Sequence, residues 1–332
     1  MLNRMSFCFI LFLLITLFST AQEVNILTSG TKASLRGLSI PNDSTIWVSG
    51  SNGIVGKSTN GGTTWHWQIV AGFEKAEFRD IEAWDSNTAI IMAIAEPAYI
   101  LRTTNGGINW DVVYKNDTKG MFLDAMDFYD GKYGIVIGDP IDGRIFLAVT
   151  NNGGKNWQEL PENKRPVADS GEACFASSGT NIKLYSKRKY YCITGGLNSR
   201  LFINGKDIID LPINKGKEST GANSIAIHNK KLMIVGGDFT KKDAVTGNFI
   251  FSNNKGKNFT VAQNPPGGYR SCIAFIKNKT WVTCGLNGVD ITNNDGKDFK
   301  NISHESFHVV QKSKTGTKVF LAGEKGKLGI IN

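Results

Sequence analysis

After residue 21 the sequence has no second long apolar run, so nothing further approaches the roughly 20 apolar residues that a bilayer-spanning helix needs. It also lacks a glycine-rich dinucleotide fingerprint between a strand and a helix, which excludes a Rossmann oxidoreductase. The nearest approach to a phosphate loop, Gly50 to Gly56-Lys57-Ser58, is one residue too long and no helix follows it. His304-Glu305-Ser306-Phe307-His308 spells the zinc-protease pattern, but that chemistry needs both histidines on one helical face. Here Phe307-His308 opens a strand, and no third ligand stands at a convincing spacing. No metal and no cofactor are expected. Cysteine is scarce too: with Cys8 in the leader, Cys174, Cys192, Cys272 and Cys284 remain.

What is present begins with a leader. Arg4 gives a positive start, Phe7 to Phe18 is an uncharged apolar run, and Ser19-Thr20-Ala21 supplies the small residues of a cleavage site. Residues 1–21 therefore read as a secretory signal, and residues 22–332 as one exported domain, periplasmic or secreted, with no membrane span after cleavage. An apolar content of 41% places that domain among globular chains. Charge is unevenly spread. Residues 22–170 hold 13 basic and 18 acidic groups, a net of −5, whereas residues 171–332 hold 24 and 11, a net of +13. The export signal and the scattering of single lysines through turns argue against nucleic acid. Cys272 and Cys284 lie symmetrically about Asn278, the centre of a hairpin turn, and could face each other as a disulfide. Free buried thiols are the alternative left open.

Internal repetition decides the fold. Ser58-Thr59-Asn60-Gly61-Gly62-Thr63-Thr64-Trp65 recurs as Thr103-Thr104-Asn105-Gly106-Gly107-Ile108-Asn109-Trp110 and as Thr150-Asn151-Asn152-Gly153-Gly154-Lys155-Asn156-Trp157. Weaker copies run from Ser252 to Phe259 and from Thr292 to Phe299. Hydroxyl and Asn side chains can bond nearby backbone N–H groups, Gly allows positive φ, and the aromatic buries a large face. A second pattern opens seven units of roughly 40–50 residues, the length of propeller blades. The openings are Leu35-Arg36, Phe78-Arg79, Phe122-Leu123-Asp124, Glu172-Ala173-Cys174-Phe175, Asn223-Ser224, Tyr269-Arg270 and Phe307-His308. The last unit has only three candidate strands, and Glu23 to Thr28 can supply its missing outer one. An all-β, seven-bladed β-propeller closed by the mature N-terminal strand is expected. Its fourth unit, preceded by the Pro161 to Ser170 insertion, has lost the repeated turn.

These turns resemble the Asp box, S/T-x-D-x-G-x-T-W, with Asn mostly in place of Asp. Thr103 to Gly107 with Trp110 resembles the blade ending of the photosystem II assembly-factor family of propellers, within the Asp-box (BNR) group. The likeness covers essentially the whole mature chain. It implies a WD40/YVTN-like propeller that binds proteins as an assembly or stability factor, without known catalysis.

In a propeller, the loops entering the innermost strands and those joining second to third strands share one face. Here that face collects Arg36, Arg79, Asp80, Glu96, Asp124, Asp139, Glu172, Arg200, Tyr269, Arg270 and His308. Convergent polar groups on a concave surface are a binding surface by default. The expectation is a monomeric, non-enzymatic scaffold for a protein or glycan partner in the cell envelope. The alternative is a glycoside hydrolase. Sialidases are Asp-box propellers whose arginines grip a carboxylate and whose nucleophile is a Tyr–Glu pair, which would cast Glu172, Tyr269 and Asp80 in catalytic roles. Against it, sialidases have six blades and an Arg-Ile-Pro start, and this chain has neither.

Overall fold

The computed structural model describes residues 22–28 and 30–332. The leader and the expected cleavage after Ala21 lie outside the described residues. Seven antiparallel sheets stand around one axis: six have four strands, the fifth has six, and in all but the fifth and the seventh the strands are laid outward in chain order. Their innermost strands are Leu35–Ser39, Phe78–Ala83, Leu123–Phe128, Ile182–Ser186, Thr220–His228, Cys272–Lys277 and Val309–Lys312. Second strands such as Ile46–Gly50 and Ala89–Ala93 are buried at every position, because a neighbouring blade covers each face. The core is accordingly a ring of inter-blade seams. One of them joins Leu38, Val282, Phe307, Val310 and Leu321 of blades one, six and seven. Among the described residues no helix is long and apolar enough to cross a membrane.

Closure follows the expected route. Val24–Thr28 pairs antiparallel with Leu328–Ile331, so the seventh blade takes its outermost strand from the other end of the chain. The ring then has no open edge running around its circumference.

The five repeated turns explain their own spacing. In each, the first hydroxyl accepts the N–H of the Gly four residues on: Gly62 to Ser58 at 2.9 Å, Gly107 to Thr103 and Gly154 to Thr150 at 3.0 Å. The Asn Oδ1 accepts an N–H further along, from Thr64 to Asn60 and from Asn109 to Asn105. Asn152 repeats it with Asn156. The Gly stands at φ +87° in Gly62 and +89° in Gly107, conformations costly for any residue with a Cβ. Turns also tie blades together: Lys57 of blade one donates to Gly106 O at 2.7 Å, and Arg102 of blade two to Gly153 O at 3.1 Å. Trp110 then packs edge-on against Trp47, and Trp157 against Phe128; Trp65 stacks on Trp67. These residues hold the scaffold.

The fourth blade departs from the expected register. Glu172-Ala173-Cys174-Phe175 does not open its innermost strand, which starts ten residues later at Ile182. Glu172–Ala173 instead pairs with Gly195–Gly196, which adds onto the fifth blade's sheet. The lost turn is replaced by a hairpin with Asn204 and Gly205 at φ +56° and +67°, closed by Lys206 N–H to Ile203 O. Cys272 and Cys284 lie opposite each other in register, and all four cysteines among the described residues are buried and free.

Candidate functional site

The extra residues before the fourth innermost strand run into the axis of the ring. Ser177 O accepts a hydrogen bond from Arg36 Nη1 of blade one at 3.0 Å. Ser177 Oγ donates to Asn223 Oδ1 of blade five at 2.6 Å, and Ser178 Oγ donates to Ser271 O of blade six at 2.8 Å. A Cβ on Gly179 would collide with the Asp80 carboxylate of blade two. Residues 175–180 thus form a plug, small and hydroxyl-rich from Ala176 onward, whose polar groups bond to blades one, five and six. They divide the channel into two chambers. The mouth is a cup of about 440 Å³ whose walls include Arg36, Arg79, Asp139, Cys174, Tyr269 and His308. The smaller chamber, about 120 Å³, is lined by the later halves of the innermost strands with Asp80, Glu82, Lys183 and Lys314.

A recurring β-bulge explains why polar residues converge at the cup. The pairing of first and second strands slips by one residue at Arg36, Arg79, Asp124 and Asn223, in blades one, two, three and five. A bulged residue leaves the ladder and re-aims its side chain. The same blade position therefore delivers a polar group toward the axis four times.

Electrostatics separate these groups. Burial and then neighbouring Arg79 pull the Arg36 guanidinium below its usual range. Arg79 has only a 3.9 Å contact to Glu77, and its Nε has no hydrogen-bond partner. His308 is 1% exposed with Nε2 3.2 Å from Ser34 Oγ; burial, then Arg36 and Arg79, push it down to about 3. It is therefore neutral at pH 7, and it lines the same cup as the two arginines. Tyr269 donates to Asn223 Oδ1 at 2.8 Å, and burial raises its hydroxyl to about 12. Burial lifts Asp139 to about 6 while its Oδ1 accepts the Cys174 N–H at 2.8 Å.

Of the residues expected on this face, the cup brings together Arg36, Arg79, Asp139, Tyr269 and His308. Asp124 lies fully buried, grouped with Asp139 and Cys174. Four others serve the scaffold instead. Arg270, 0% exposed, clamps Asp290 through Nε and Nη2. Arg200 grips Glu172, which also accepts from Thr194 Oγ1. Asp80 faces the lower chamber, where it accepts the N–H groups of Met126 and Ile81 at 2.8 Å. Burial raises it to about 8. Glu96 is exposed and accepts the Gly120 N–H at 3.1 Å, in a separate groove beside Phe73 and Tyr99. Tyr269 and Glu172 are engaged with different partners, so the Tyr–Glu pair of a sialidase is not assembled. Sequence reasoning missed the plug and the Phe122, Phe175 and Phe239 walls of the cup. The signal available was the run Ala176-Ser177-Ser178-Gly179-Thr180 in the one unit that breaks the repeat.

No protein-family model and no curated protein matches the chain by sequence. Solved structures match its fold. Two are YCF48 structures. One, from Cyanidioschyzon merolae, has a TM-score of 0.67 at 17% identity, covering 93% of this chain and 99% of that one. The other is described as YCF48 bound to D1 peptide, with a TM-score of 0.65 at 16% identity, covering 95% and 97%. The WD40 β-propeller domain of Doa1 matches with a TM-score of 0.66 at 13% identity, covering 94% and 97%. At such identities the likeness carries the seven-bladed fold and no more.

Proposed function

We propose that this chain is an exported, non-enzymatic propeller that recognises a protein partner by seating one of its carboxylates in the cup. The observation that carries the reading is the pair Arg36 and Arg79, two half-buried guanidiniums that bear on one cavity with no carboxylate partner at hydrogen-bond distance. Two like charges held together, with Glu77 no nearer than 3.9 Å, are costly without a closer anion, and a guanidinium fork matches a carboxylate in bidentate geometry. Phe122, Phe175, Phe239 and Leu286 give the same cup an apolar wall for the side chain beside that anion. The plug closes the floor, which suits the end of a chain or a projecting side chain better than a threaded strand. A neighbour of the same fold is described in complex with a peptide, which is in keeping with a peptide-binding propeller.

The test is a fluorescence titration of wild type and the Arg36→Ala, Arg79→Ala double variant against peptides ending in a free carboxylate and the same peptides amidated. Binding that needs both the arginines and the free carboxylate is expected. Equal affinity for the amides, or for the double variant, removes the arginines from the recognition site. Retention of acidic glycans with no peptide binding would transfer the cup to a carbohydrate partner.

A further inference from the structure

We propose that Asp124, Asp139 and Cys174 form a binding site for a divalent transition-metal ion, zinc by its donor set, in the wall of the cup. Each residue offers one ligand atom, and the three atoms lie within 4.8 Å of one another. Zinc bonds of about 2.0–2.3 Å place neighbouring ligands of a tetrahedral site less than about 4 Å apart, so side-chain shifts of about 1 Å close the set. Three different segments supply the ligands: Asp124 from the bulge in Leu123–Phe128, Asp139 from Gly134–Ile141, and Cys174 from the approach to the plug. The second strand is itself irregular beside its ligand, since pairing with the third strand slips between Gly138 and Pro140 and leaves Asp139 out of the ladder. Bulges gather beside sites where a side chain has been re-aimed.

The independent observation is the state of Asp124. It is 0% exposed, and neither carboxylate oxygen has a partner of hydrogen-bond geometry among the described residues. A buried carboxyl group with both oxygens unsatisfied is expensive, and buried charges in proteins are paired or coordinate metals. Its scaffold counterparts show the contrast: Asp290 and Glu172, also buried, are clamped by Arg270 and Arg200.

Donor chemistry selects the ion. One thiolate with two carboxylates suits zinc, whereas calcium takes six to eight oxygens and magnesium an octahedron of oxygens. With the thiol ionised the ligands carry three negative charges, so a bound dication leaves the site at −1 and Arg79 nearby is not repelled. Asp139 and Cys174 line the cup, so the fourth coordination position is reached from it. The inference stands apart from peptide recognition, because it rests on neither arginine.

The test begins with purified protein stripped by a chelator and then titrated with Zn²⁺ and with Co²⁺. One equivalent of zinc by elemental analysis, a rise in melting temperature, and a thiolate-to-cobalt charge-transfer band in the near ultraviolet are expected. Cys174→Ser should abolish the band, and Asp124→Asn should weaken zinc binding by more than about tenfold. Cys192→Ser, whose thiol lies outside the cluster, should keep both. Asp124→Asn without metal should melt no lower than stripped wild type, which separates loss of a ligand from loss of folding; if it fails to fold, Asp139→Asn at the cup wall reports the same loss. A wild type that takes up no zinc, or variants that bind it as tightly as wild type, overturns the site.

Discussion

Arg36 and Arg79 differ from Arg200 and Arg270 in one respect, the company each keeps. Arg270 and Arg200 lie in buried pairs with Asp290 and Glu172, where each charge is hydrogen-bonded as well as neutralised. Arg36 and Arg79 face a cavity with each other and a neutral histidine. The first pair belongs to the scaffold, and the second is what the scaffold presents. An arginine at the head of a blade is thus a functional candidate only when no acid from a neighbouring strand reaches it.

That contrast can be broken most forcefully at Arg270. Arg270→Ala strands Asp290 as an unpaired buried charge and should cost about 3–5 kcal/mol in urea unfolding. A loss below about 1 kcal/mol would erase the distinction between the two sets.

His308 sharpens it next. Folded His308 takes a proton only near pH 3, whereas in the unfolded chain it does so near 6.5. Between those values the unfolded state holds more protons, so stability falls as pH drops from about 6.5 toward 3, by up to about 1.4 kcal/mol per unit. Wild type should therefore lose about 2 kcal/mol between pH 6.5 and 5 that His308→Gln retains, measured by denaturation at both pH values. Equal pH dependence in the two proteins would mean that the arginines and burial do not hold the imidazole neutral.

A smaller effect is expected in the repeated turns, which share the structural role of Arg270. Thr103→Val removes the acceptor for the Gly107 N–H and should lower stability by about 1 kcal/mol, with ligand binding unchanged. The smallest change belongs to the cup itself. Arg79→Ala, which breaks no hydrogen bond in the scaffold, should shift stability by no more than about 0.5 kcal/mol while weakening partner binding at least tenfold. A large destabilisation there would return Arg79 to the scaffold.

Much of this was legible in the primary structure, and for a local reason. A hydroxyl, an Asn two residues on and a Gly two beyond that make a turn from their own side chains, so Ser58, Thr103 and Thr150 could be placed without knowing their neighbours. Tyr269 and His308 were legible as residues of the channel mouth because the blade repeat fixes which end of a strand they occupy. Glu172 and Arg270 were misplaced for the opposite reason. Their partners, Arg200 and Asp290, come from the third strands of the fourth and sixth blades, some 20–30 residues further along the chain, and no repeat register announces an ion pair across that distance.

By itself, then, the sequence determined the seven-bladed ring, its turns and its closure by residues 24–28, because all of these follow from periodic, short-range chemistry repeated along the chain. Only the tertiary structure decided that residues 175–180 plug the channel, that Arg36 and Arg79 face the cup with no acid at hydrogen-bond distance, and that Asp124 meets Asp139 and Cys174. Each of those depends on groups from different blades meeting at the axis, where the closed ring brings together residues far apart in the chain.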